Sequence, residues 1–82
     1  MDDKLVTIVV NGEDQEWPKD KDISYTDAVL FAFPDSKNHP EMTFSVKFTR
    51  GNGDKPEGIL APGQSVKVKE GMNFRVRDTG QS

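Results

Sequence analysis

The sequence contains no cysteine and a single histidine. A disulfide framework and a cysteine-ligated zinc or iron–sulfur site are therefore excluded. With no thiol, no thioester can form on this chain. A Ser-His-Asp arrangement would have to use His39, which stands in a polar, Pro-flanked stretch better suited to a loop. Positive charge is also scarce. Eleven Lys and Arg stand against fourteen Asp and Glu, which gives a net charge of −3. No run of basic residues is long enough to form a stripe, so nucleic acid is not an expected partner. Long apolar runs are missing too. The stretch from Ala28 to Pro34 is far shorter than the roughly 20 residues that cross a bilayer, so no membrane partner is expected. Met1-Asp2-Asp3-Lys4 opens with acids where a secretory signal needs a basic start, which points to a cytoplasmic location. Asp2, Asp3 and Asp14 do not have the spacing of a calcium loop, and no metal or other cofactor is expected. No acid, base and nucleophile converge, so the chain is not expected to be an enzyme.

At 82 residues there is room for one domain. Hydrophobic residues make up only 33% of it, so nearly every regular apolar stripe is needed for packing. The 30% of charged residues are mixed in sign and interspersed with apolar ones, as on a globular surface.

Lys4 to Val10 is β-branched and apolar on both faces, which suits a central strand. Asn11-Gly12 follows. Both residues tolerate the positive φ of a type I′ turn, so a hairpin with Glu13 to Trp17 is predicted, ended by Pro18. Ser24 with Asp27 three residues on reads as a capping box, with Ile23 placed to pack back on the first turn. Tyr25, Ala28, Val29 and Ala32 then recur at helical spacing, and Pro34 stops the helix near Phe33. Asp35 to Glu41 reads as a polar loop. In Thr43 to Arg50, Met42, Phe44, Val46 and Phe48 alternate with polar residues, the mark of a strand with one dry face. A short strand is expected near Gly58 to Leu60 and another over Ser65 to Lys69. In the last strand Met72, Phe74 and Val76 alternate with Asn73, Arg75 and Arg77. Residues 78–82 have nothing apolar to bury and read as a flexible tail after a domain of residues 1–77.

The order β-β-α-β-β-β predicts an α+β fold with a mixed four- to five-stranded sheet on one helix. The first and last strands have the composition of sheet-centre strands. If they pair, they run parallel with the helix in the crossover, which is the β-grasp arrangement.

Several segments carry a more specific likeness. They are Val10-Asn11-Gly12, Ile23-Ser24-Tyr25, Ala32-Phe33-Pro34, Gly53 to Leu60 and Pro62 to Met72, and the end Phe74 to Gly80 is similar to the Arg-Gly-Gly and Thr-Gly-Gly tails of ubiquitin and its relatives. Together they resemble the bacterial multiubiquitin family. The resemblance implies a ubiquitin-like modifier made as a precursor. Its partners would be an E1-like activating enzyme, an E2-like conjugating enzyme, a processing or deconjugating peptidase and target proteins. Such a modifier supplies no catalytic group, only a carboxylate that is adenylated and passed to a thiol and then to an amine. Gly80 would be the conjugated residue. Glycine leaves the reacting carbonyl unhindered. Arg75, Arg77, Asp78 and Thr79 would form the tail that contacts the enzymes. The chain departs from the ubiquitin pattern, with one Gly where ubiquitin has two and with Gln81-Ser82 following it. Two readings stay open: trimming before Gln81, or a β-grasp interaction module that is never conjugated.

Other residues have plainer readings. Trp17 is read as core packing before partner anchor, and Lys47, Lys67 and Lys69 as surface lysines before sites of chain building. An exposed apolar patch is expected from Val29 to Phe33, or from Leu5, Thr7 and Val9 on the first strand.

Overall fold

A computed structural model describes residues 4–39, 41–51, 53 and 56–79. Leu5–Val10 (β1) and Glu13–Pro18 (β2) form the antiparallel hairpin that Asn11-Gly12 demands. Asn11 has φ 52° and Gly12 φ 85°, the left-handed values that a type I′ turn requires. Ile23–Ser24 (β3) leads into the helix Tyr25–Ala32 (α1). Ser24 Oγ accepts the Asp27 N–H at 3.1 Å, and Asp27 Oδ2 accepts the Ser24 N–H at 3.0 Å, which completes the capping box. Ser24→Ala breaks this reciprocal pair. It is expected to cost about 1 kcal/mol, read as a fall of roughly 4–8 °C in thermal melting.

Pro34 ends α1, as expected, and starts a 3₁₀ turn over Pro34–Asn38 in the stretch read as loop. Proline has no N–H to lose at a first helical position and its φ is already set. Phe44–Thr49 (β4), Gly58–Ile59 (β5), Ser65–Val66 (β6) and Asn73–Asp78 (β7) complete the chain. The main sheet has the order β2-β1-β7-β4-β5. β1 and β7 are parallel neighbours at its centre, as their composition predicts. The fold is α+β, a mixed five-stranded sheet with one α-helix.

One strand lies elsewhere than expected. β6 does not join the main sheet and stops at Val66. It pairs antiparallel with β3 in a separate two-residue ladder, Ile23 with Val66 and Ser24 with Ser65. The Pro62-Gly63 turn and the Tyr25 N–H bonded to the Gln64 carbonyl hold this segment against the helix start. Val68, beyond the ladder, is buried in the core.

The core lies between the sheet's inner face and α1. Ile8, Val46, Phe74 and Val76 from the sheet meet Ala28 and Val29 from the helix, closed by Ile23 and Met72. Trp17 is packing, as expected. Its ring meets Phe31 edge-on at 5.8 Å, its indole N–H donates to the Lys21 carbonyl at 2.7 Å, and Lys21 Nζ sits 5.3 Å over the ring. Phe33 is likewise engaged, 5.1 Å from Phe44. Val29, Phe31, Ala32 and Phe33 of that run are thus drawn into or against the core, while Leu30 is half-buried, so the run is not a large exposed patch. Among the described residues the large exposed hydrophobics are Leu5, from the other candidate set, and Ile59, which no pattern in the sequence singles out.

Candidate functional site: the last strand and the outer sheet face

Two side chains extend the central β1–β7 pairing beyond its short backbone register. Backbone bonds run from Val9 N–H to the Met72 carbonyl and from Asn11 N–H to the Phe74 carbonyl, both at 2.9 Å. Before this stretch, Glu70 Oε1 accepts the Thr7 N–H at 2.9 Å. After it, β1 turns away at Gly12, and the Asn11 amide takes over. Its Nδ2 donates to the Val76 carbonyl at 3.0 Å and its Oδ1 accepts the Val76 N–H at 2.8 Å. One side chain thus does for Val76 what another strand residue would do. Asn11 therefore has two tasks, turn residue and strand surrogate. The Asn-Gly motif announces only the first.

On its other side β7 pairs antiparallel with β4 from Asn73 opposite Thr49 to Asp78 opposite Phe44. Beyond it, Thr79 N–H donates to the Thr43 carbonyl at 3.0 Å, and the two threonine hydroxyls also meet. This corrects the expected boundary: Asp78 is part of the strand and Thr79 is held to β4, so neither belongs to a free tail. Apolar content misjudged the boundary because backbone pairing needs no apolar side chain. Both residues are exposed at the surface. Gly80 and Gln81, the expected conjugation and processing residues, lie outside the described residues.

Strand alternation puts Phe74 and Val76 in the core and Asn73, Arg75 and Arg77 on the outer face. There Arg75 stands opposite Lys47 of β4, whose outward neighbour on β5 is Ile59. Where the hairpin tip and β7 diverge, a groove of about 550 Å³ opens, lined by Val9, Asn11, Gly12 and residues 73–77. Arg75 and Arg77, expected to contact enzymes, are thus brought together at one exposed groove. Among the described residues His39 Nδ1 lies 3.7 Å from Glu41 Oε2, and neither belongs to this face's strands. No group of three or more metal-ligating side chains occurs among the described residues, and no helix there is long and apolar enough to cross a membrane.

A central parallel β1–β7 pair, a helix in the crossover and a last strand that carries the chain out past β4 define a ubiquitin-like β-grasp domain. A family model described as multiubiquitin matches residues 6–80. The chain belongs to the multiubiquitin family. No curated protein and no solved structure matches it.

Proposed function

We propose that this chain is a bacterial ubiquitin-like protein modifier, joined to amines through Gly80 once Gln81 and Ser82 are removed. The observation that carries this reading is the placement of β7. It sits at the sheet centre, is bonded on both flanks, and its last described anchor, Thr79 on Thr43, immediately precedes Gly80. A rigid body with a transferable residue directly after its last anchor suits a tag that enzymes handle by its end.

The chemistry belongs to partner enzymes. An E1-like enzyme joins the Gly80 carboxylate to the AMP part of ATP and releases pyrophosphate. A thiol on that enzyme displaces AMP and forms a thioester, which passes to an E2-like thiol. A target amine then displaces the thiol and forms an amide. The chain itself is not an enzyme and supplies recognition. Arg75 and Arg77 offer guanidinium groups to acidic residues of those enzymes, and Asp78 and Thr79 are read out next to the reacting end. Because Thr79 is held to Thr43 by exposed bonds, that contact opens when Gly80 enters a narrow channel. A cytoplasmic setting suits this ATP-dependent chemistry.

The test of processing is intact-mass measurement after exposure to the cognate peptidase. Cleavage between Gly80 and Gln81 is the expected result. Retention of Gln81-Ser82 under conditions where the peptidase is active contradicts the reading. One observation favours the alternative, a non-conjugated interaction module: Leu5 and Ile59 stand exposed on the outer sheet face.

A further inference from the structure

The outer face of the sheet is divided by charge. At one end, Glu16 lies opposite Thr7 and Asp14 opposite Val9, both on the outward side of β2. Glu70 adds a third carboxylate there through its bond to the Thr7 N–H. At the other end stand Arg75 and Arg77 on β7 and Lys47 on β4. Lys47 lies directly across from Arg75, a like-charged pair that weakens a sheet by itself. All six residues are exposed, and none forms an ion pair with another described residue. Between and beside the two clusters are the neutral Thr7 and the apolar Leu5, Val9 and Ile59.

A face with one acidic end and one basic end complements a copy of itself. A two-fold axis lying in the interface, between the two clusters, sets each acidic end on the partner's basic end. Such an interface is closed and isologous, so it stops at two copies. It also relieves the Lys47–Arg75 repulsion, for which the fold provides no carboxylate within ion-pair distance among the described residues. We infer that the outer sheet face binds a second copy of this chain through these paired clusters, with Val9 near the axis.

The available area sets the strength. Four strands of six residues and the two-residue β5, about 4.8 Å apart and rising about 3.3 Å per residue, make a face of roughly 400 Å². That is about half the ~800 Å² per partner of a standard stable interface. The dimer is therefore weak, rapidly exchanging and sensitive to salt, because its charges sit on an exposed surface. This self-recognition does not depend on conjugation chemistry and stands or falls separately from it.

The test is sedimentation equilibrium of the full chain at low and high salt with two charge-reversed variants. One carries Arg75→Glu and Arg77→Glu, the other Asp14→Lys and Glu16→Lys. The wild type is expected to self-associate at low salt and dissociate at high salt. Each variant alone is expected to stay monomeric, and their equimolar mixture is expected to pair at least about tenfold more tightly than the wild type. A control replaces the first variant with Lys19→Glu and Lys67→Glu, which changes net charge equally but in a separate recess beside Asp20 and Asp22. In that mixture the control variant, whose sheet face is unchanged, is expected to pair with itself as the wild type does, with no gain in affinity toward the lysine-bearing variant. Dilution of the wild type should move the amide resonances of Thr7, Val9, Arg75 and Arg77 and leave those of Ser36 and Lys37 unmoved. A wild type that is monomeric at millimolar concentration and low salt overturns the inference, even if it binds a polyglutamate peptide. Equal pairing by the control mixture overturns it as well.

Discussion

Replacing Gly80 with Val is expected to abolish covalent adducts when the chain is produced with its activating and conjugating enzymes. The loss is expected to reach at least about a hundredfold. Two effects act together. The isopropyl group is branched at Cβ, so it crowds the carboxylate that must attack the α-phosphate of ATP and then the carbonyl that two thiols and an amine attack in turn. It also removes the backbone freedom that lets glycine follow a narrow channel. In acyl transfer a misplacement of about 1 Å is already worth roughly a hundredfold. Thermal melting is expected to be unchanged, because the bonds that fix β7 run no further than Thr79 among the described residues. Denaturing electrophoresis for adducts and a melting curve on the same preparation separate lost chemistry from lost folding. Binding of partners to the sheet face should survive. If adducts persist at wild-type level, attachment does not run through Gly80.

The second large effect is expected from Asn11→Ala. This change removes both amide bonds to Val76 and places a Cβ-bearing residue without a compensating side chain at φ 52°. Leaving a partly buried donor and acceptor unmatched costs about 1–1.5 kcal/mol each in a groove that water can enter. The left-handed backbone adds roughly 1 kcal/mol. The sum, about 3 kcal/mol, is a large share of the roughly 4–12 kcal/mol that holds a domain of this size together. Melting should fall by on the order of 10–20 °C. Asn11→Gly separates the terms, since it keeps the turn and loses only the amide. It should show about two thirds of the loss and the same faster exchange of the Val76 amide proton. Unchanged Val76 exchange in either variant contradicts the strand-surrogate role.

Much of the fold could be read from the sequence wherever a local rule carried it. Asn11-Gly12 set the hairpin through positive φ, Ser24 and Asp27 set the helix start through reciprocal bonding, and strict alternation set β4 and β7. The parallel β1–β7 closure followed from composition, because those two strands alone suited the sheet centre. What escaped was fixed by partners distant in sequence. The β3–β6 ladder is two residues long on each side, too short to show a period, and Gln64 seats it on the helix start. The anchorage of Asp78 and Thr79 comes from β4 backbone, which no side-chain pattern reports. Ile59 stands in a strand too short to show which face it takes, and its position opposite Lys47 points it outward. For the candidate site, Arg75 and Arg77 were legible from alternation. Their meeting with Lys47 at one end of a charge-divided face needed the strand order.

The Asn11 and Glu70 contacts also give two stretches that carried the family resemblance a place at the same strand junction. Asn11 of Val10-Asn11-Gly12 bonds Val76, and Glu70 of the Pro62 to Met72 stretch bonds Thr7, so the two stretches brace opposite ends of the β1–β7 junction. That junction holds β7, the last strand of the sheet.

The central claim is attachment through Gly80. The most direct measurement is tandem mass spectrometry of peptides from adducts formed with the cognate activating and conjugating enzymes. The account predicts branched peptides in which the Gly80 carbonyl forms an amide with a lysine or terminal amine of the target, and Gln81 is gone. Recovery under those conditions of only linear peptides that run from Thr79 through Gly80 into Gln81-Ser82 would contradict it.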